Sequence, residues 1–420
     1  MHFAPSLLLA LLILVVPAQA QPAASSSEPP IELPADPSPA SGQADPVSGQ
    51  ADPAAAAKPE PVTPEQRRAI EAYLDVVSKW SDTLIEMKAT AIRYSNEVDR
   101  SPAAKQRYYD LRDQARDQMN ATFQKAVELF RVRKGDFDAG SMMATLLEYR
   151  ESSSIYENSL EAAELLLETE ITYPFIYLLA ARSAFLEGQY DRMMEHYDTF
   201  VEANGAEKLE RVDNMLVGLR EIYPSLWEQE LTLREAEAKA DDLPRVLLET
   251  TRGPVVIELF ENQAPNTVAN FIHLVETGFY DGSDFYQVVD DFLAMGGDPV
   301  GDGSGTSGRF IPDEYQHPEA RKLFRGYLSM AKVPNPSDKS AHVPNSASSQ
   351  FAIALMPLLR ENETQTVFGR VIEGMDVVCT FRRIDPSEKK EKVVQLPPDR
   401  IITAKVLRKR DHEYIVNYAK

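Results

Sequence analysis

At Pro244 the spacing of the apolar residues changes from helical to strand-like, and that one break sets what the chain can fold into. Upstream, Thr63-Pro64-Glu65-Gln66 is a capping box with proline at the first helical position. Ile70, Leu74, Val77, Trp80, Leu84, Met87 and Ala91 follow on one helical stripe. Ser101-Pro102 opens a second helix whose stripe is Tyr108, Leu111, Ala115, Met119, Phe123, Ala126 and Phe130, closed by Gly135. The two fit an antiparallel pair. Downstream, Arg245 to Thr250 and Pro254 to Phe260 flank a tight turn at Arg252-Gly253 and predict a hairpin. Asn266 to Thr277 is helical between Pro265 and Gly278, and short apolar strands then alternate with Gly, Pro and Asp turns to Lys409. Many short strands with one early helix predict a closed antiparallel β-barrel capped by helices.

The two ends of the chain have their own character. Met1 to Ala20 holds the only long apolar run, Leu7 to Val16, too short to span a bilayer, and ends in Ala18-Gln19-Ala20. This pattern predicts a cleaved secretory signal peptide, with an uncleaved anchor as the alternative, an exported protein in the periplasm or another extracytoplasmic space, and no membrane span after cleavage. From Gln21 to Val62 almost no large apolar residue occurs, and Ser-Gly-Gln-Ala-Asp-Pro appears at Ser41 and again at Ser48. Such a segment cannot offset its ordering entropy and reads as a disordered spacer. The expected division is 1–20 signal, 21–62 linker, 63–243 helical domain, 244–410 barrel and 411–420 tail. The net charge of −21 argues against nucleic acid and anionic membrane surfaces as partners. A single cysteine, Cys379, leaves stability to packing rather than to an intrachain disulfide.

Within the helical half, Tyr177, Ala181, Ala184, Gly188, Tyr190, Met193, Tyr197 and Phe200 are spaced in a way that resembles a tetratricopeptide repeat, a helical hairpin of about 34 residues. Met143, Leu147, Ser154, Tyr156, Ala163 and Leu166 occupy matching positions one period earlier, with Ser154 in place of the glycine. The aromatic stripe is expected to be core, with a peptide-binding concave face as the alternative. Two further helices are predicted over Glu207–Glu221 and Pro224–Ala240, and the domain is expected to dock a protein partner or dimerise.

In the second half, Thr277 to Gly297 reads as a helix end, a turn at Asp281-Gly282 and an apolar strand stopped by paired glycines. With Asp298-Pro299, Ile311 to Tyr315, Gly326 to Ala331, Ser349-Gln350-Phe351 and Thr366 to Val371, this order of blocks resembles a cyclophilin-type peptidyl-prolyl isomerase over about Pro244 to Lys409. The resemblance implies a cyclophilin barrel that acts on X-Pro bonds of polypeptides, and such chemistry needs no nucleophile, metal ion or cofactor. Amide resonance raises a barrier near ~20 kcal/mol to rotation. A catalyst must seat the proline ring in an apolar pocket, hold the flanking peptide extended, and aim a donor at the nitrogen that regains its lone pair in the twisted state.

The resemblance also assigns residues. The family's donor is an arginine two positions after the strand phenylalanine, where Phe285-Tyr286-Gln287 places Gln287. Phe292 and Leu293 match the floor of the proline pocket, and Ala331 and Gln350 match family positions. Met295 replaces a glutamine, Lys332 an asparagine, and Ala352 a pocket phenylalanine; Leu358-Leu359 replaces a Trp-Leu pair, and Gln365 lies near a histidine position. A neutral amide donor implies weakened catalysis, and a prolyl-peptide-binding chaperone or scaffold without turnover is the alternative. Lys332 is a candidate replacement cation, set against a solvated loop lysine. The insertion Val333 to Ser348 is expected either to cover the groove or to be a tolerated surface loop. Gly301-Asp302-Gly303-Ser304-Gly305 lacks the Lys-Ser/Thr ending of a phosphate loop and reads as a flexible turn, and the scattered histidines predict no metal site.

Overall fold

The computed structural model describes residues 62–96, 98–169, 173–359, 364–385 and 397–419. The expected signal peptide and all but the last residue of the expected linker lie outside them.

Among the described residues, eight α-helices form the first half: α1 Pro64–Ser95, α2 Pro102–Val132, α3 Phe137–Ser152, α4 Leu160–Leu167, α5 Pro174–Leu186, α6 Tyr190–Asn204, α7 Arg211–Leu219 and α8 Tyr223–Ala240. Their starts are written locally. Thr63 and Gln66 close the capping box on α1, and Ser101 and Asp136 cap α2 and α3. The α1 stripe is rotated from its expected position: Trp80, Leu84 and Met87 are buried, but Tyr73 takes the inward position and Leu74 is 55% exposed. The aromatic stripe of the repeat-like segment is largely core. Tyr197 is buried and donates to Asp213 at 3.0 Å, while Tyr177 and Tyr190 are half-buried. Gly188 and Ser154, at matching positions after α5 and α3, both have positive φ, 74° and 56°. A turn geometry is therefore shared by the two helical pairs, although α4 has only 8 residues.

The second half is an eight-stranded antiparallel sheet. Its strands are β1 Arg245–Thr250, β2 Gly253–Leu259, β3 Gln287–Val289, β4 Leu293–Gly296, β5 Tyr327–Met330, β8 Phe351–Ala354, β9 Val367–Glu373 and β10 Ile401–Arg408. Two short strands, β6 Pro334–Asn335 and β7 Asp338–His342, pair only with each other. Helix α9, Pro265–Glu276, follows β2, and α10, Met375–Cys379, follows β9. The sheet order is β10-β1-β2-β9-β5-β8-β4-β3. The expected closed barrel is thus a curled sheet whose edge strands, β3 and β10, share no ladder. The residues just before them meet instead at an isolated bridge between Asp284 and Arg400. There the Gly282 and Phe285 amides donate to Ile401 and Asp399 carbonyls at 2.8 and 2.7 Å.

Strands β5 and β8 are buried on both faces. Val288, Ala294, Ile353 and Leu328 point inward to the barrel core with Phe271, Phe351 and Phe368. The opposite face carries Ala354 and Tyr327, which join Leu323, Phe324, Met356, Leu358 and Leu359 in one apolar cluster with the helical core. Trp227 and Tyr223 of α8 meet Phe324 edge-on, with ring centroids 5.0 and 5.5 Å apart. Around this apolar seam lie buried ion pairs. Arg321 forms paired hydrogen bonds of 2.8 to 3.0 Å with both Glu230 and Glu237 of α8, and its side chain is fully buried. Arg325 donates to Glu157 at 2.6 Å and to the Ser154 carbonyl at 2.7 Å. Helices and barrel are two architectures built on a shared interface.

Candidate active site

The β3–β4 hairpin is the element that presents the candidate residues. Its turn, Asp290-Asp291-Phe292, is tightened by Asp291, whose φ of 49° lies in the left-handed region that aspartate tolerates better than most residues. The Asp291 carboxylate accepts the Tyr156 hydroxyl at 2.7 Å and lies 3.6 Å from the Arg182 guanidinium, so the helical half fixes the turn.

Strand register then sets the row. Gln287 is opposite Met295, Met295 opposite Ala352, and Ala352 opposite Ser329. Residues directly opposite in adjacent strands share a face, with Cβ atoms about 5 Å apart. Four positions, three of them expected from sequence, therefore line up on the face turned away from the barrel core. Ser329 extends the row by donating to Gln365 Oε1 at 3.2 Å. Gln287, Met295 and Gln365 are half-buried; Ala352 and Ser329 are buried. The next row on this face contains Val289, Leu293 and Ala354, and Leu293 and Ala354 pack with the helical cluster. What remains accessible is a shallow strip of two amides and a thioether beside an apolar wall.

The other expected residues are in specific places. Gln350 is a post for the neighbouring loop: its Nε2 donates to the Gly303 and Gly305 carbonyls at 3.0 and 2.6 Å, and its Oε1 accepts from Tyr286 at 2.6 Å. With both amide protons engaged, it positions structure rather than offering a donor. Burial holds the Tyr286 phenol above its ordinary range, with the Asp298 carboxylate nearby adding to the shift. Ala331 is half-buried and donates its amide to the Gln350 carbonyl at 3.0 Å. Leu358 and Leu359 are buried as a wall, and the Arg360–Glu363 stretch that follows lies outside the described residues.

Lys332 corrects both expectations made for it. It is neither a solvated lysine nor a free cation for the groove. Its ammonium is buried, donates to Asp313 at 2.7 Å and to the Thr364 carbonyl at 3.2 Å. The 333–348 insertion contains a self-paired hairpin with Pro334, Pro336 and Ser337 exposed. The 301–305 segment is an anchored loop, not a flexible turn. The amides of Val300, Asp302 and Gly303 all donate to the Asp298 carboxylate, at 2.8, 3.1 and 2.5 Å.

Phe292, the expected pocket floor, is half-buried at the junction with the helices, and the guanidinium carbon of Arg211 lies 4.6 Å from its ring centroid. A crevice of about 200 Å³ opens there between α7 and the hairpin turn. Sequence reasoning missed Arg211, because no local pattern ties the first residue of α7 to a turn that follows much later in the chain.

A curled antiparallel sheet with two capping helices and a half-buried strand row beside an apolar wall is an architecture that fits a peptide-bond rotamase. The family model and the sequence relatives agree. Residues 245–406 match the cyclophilin type peptidyl-prolyl cis-trans isomerase/CLD family. Peptidyl-prolyl cis-trans isomerase-like 1 of Neurospora crassa is 36% identical over 171 residues, covering 40% of this chain and 97% of that protein. The protein of the same name from Homo sapiens is 36% identical over 138 residues, covering 32% of this chain and 77% of that protein. A solved cyclophilin type isomerase of Cryptosporidium parvum is 31% identical, covers 40% of this chain and 99% of its own, and has a TM-score of 0.34. This chain belongs to the cyclophilin-type peptidyl-prolyl cis-trans isomerase family.

Proposed function

We propose that this chain is an exported prolyl isomerase that binds extended proline-containing segments along the β3–β4 end of the row and turns them over slowly. The observation that carries the reading is the register placing Gln287 at the head of the row, beside Met295. A glutamine amide can donate to the twisted prolyl nitrogen, but a neutral donor is roughly half as strong as a charged one. The difference, about 1.4 kcal/mol, corresponds to roughly a tenfold slower chemical step. Export rests on the apolar leader and Ala18-Gln19-Ala20. The repeat-like helical pairs are read as the region that docks a protein partner.

A second reading, a prolyl-peptide-binding chaperone without turnover, is favoured by the commitment of Lys332 to Asp313, which removes a cation from the groove. Isomerisation of a short X-Pro peptide by the full chain separates the two. We expect measurable turnover, loss of most of it in Gln287→Leu, and an increase of about tenfold in Gln287→Arg. Peptide binding without turnover in the native chain would establish the binding module instead.

A further inference from the structure

The crevice between α7 and the β3–β4 turn holds a cation that the strand row lacks. Arg211 is the first residue of α7, and its exposed side chain lies against the Phe292 ring at the crevice mouth. The carboxylates that share the crevice have other partners. Glu210 accepts from Arg182 at 3.0 Å, Asp291 from Tyr156, and Asp290 is paired with Arg383. Among the described residues, no carboxylate reaches Arg211 and no acceptor engages its guanidinium. Its contact is one aromatic face, which orients a planar guanidinium while leaving its N–H edge open. Val212 and Met215 continue the apolar lining from the helical side.

An apolar floor with one oriented guanidinium beside it matches a prolyl ring followed by a carbonyl. We infer that Arg211 contacts the bound peptide, so that helix α7 supplies to the barrel the charged donor absent from β3. This inference rests on the isomerase reading and names a residue of that same site. The prolyl ring sits against Phe292, Val212 and Met215, and the guanidinium joins the Gln287 amide as a second, charged donor at the prolyl nitrogen. No covalent bond forms or breaks. As the C–N bond twists out of conjugation, its nitrogen regains a lone pair, and a donor placed there gains strength in the transition state. The site is therefore composite: its ring floor comes from the barrel and its charge from the helices.

The test uses the full chain with Arg211→Gln and Arg211→Lys, and a short X-Pro peptide followed by exchange NMR. Arg211→Gln is expected to lower kcat by about tenfold or more with little change in KM. Arg211→Lys should recover part of the rate, and the thermal midpoint should not move in either, because Arg211 is exposed. A rate in Arg211→Gln equal to or above the native rate overturns the inference; a faster variant would show that Arg211 obstructs the pocket. If the native chain binds the peptide but shows no turnover, the isomerase reading fails separately and affinity becomes the readout. Weaker binding by Arg211→Gln then keeps Arg211 at the peptide, and unchanged binding removes it.

Discussion

A glutamine amide is shorter than an arginine guanidinium and carries no charge, and Gln287 takes its register position opposite Met295 without disturbing the strands that hold it. That position was legible because it is fixed by a local run, Phe285 to Gly297, ending in paired glycines with a backbone requirement. Gly297 has φ 81°, and a Cβ there would lie 2.4 Å from the Ser349 carbonyl oxygen. Gly297→Ala is therefore expected to lower stability by about 2 kcal/mol or more, read as a shift of the urea midpoint. A loss under about 0.5 kcal/mol would mean that the β4 end relaxes freely. Lys332 was not legible for the opposite reason: its partner Asp313 is 19 residues away, on a loop whose path the sequence does not write.

Elements were predicted best where their signals are local. The Thr63–Gln66 box and the Pro265 and Gly278 limits of α9 needed only their own neighbours. The tail after β10 needed the fold. Residues 411–419 are not a loose end: Tyr414, Val416 and Tyr418 pack against the barrel core, and Asn417 exchanges hydrogen bonds with Asn266. His412 faces Glu261 at 2.6 Å, with Tyr414 stacked on its ring and Arg410 close by. Contact with the Glu413 carbonyl, then the bond to Glu261, raises its pKa above the ordinary 6.5. A raised histidine pKa means that the folded tail binds a proton more tightly than the unfolded one. The stabilisation is fully present below pH 6.5 and is lost as pH rises through the higher folded value. Hydrogen exchange of the 411–419 amides, corrected for intrinsic rates, should then show less protection at pH 8 than at pH 6, and His412→Ala should abolish the difference. Equal protection at both values would exclude the linkage.

At the scale of the molecule, the change of period at Pro244 separated helices from strands correctly but concealed that they share a core. An apolar stripe says that a face is buried, not against what; Phe324 and Tyr327 read equally well as barrel interior. Arg321 is the sensitive point of the junction, because it hydrogen-bonds both Glu230 and Glu237 from a fully buried side chain, whereas Arg370 stands farther off at 3.9 and 3.3 Å. Burial already raises the Glu237 carboxyl pKa, so removing the guanidinium leaves charge in a poor environment. Arg321→Leu should cost about 3–5 kcal/mol, measured by denaturant unfolding with Trp227 fluorescence as the junction probe. The native chain should unfold in one transition by both fluorescence and far-ultraviolet circular dichroism. Two separated transitions would show that helices and barrel are energetically independent.

The pairing of β1 with β10 gives the shared core a meaning in time. During synthesis the helices leave the ribosome first, as domains generally fold from the N-terminus. The sheet cannot be completed until its last strand has emerged and found the first. Throughout that interval, α8 already offers Tyr223, Trp227 and Glu230 to the arriving segment around Arg321 and Phe324. The helical half is thus in place as a cradle for the half that follows.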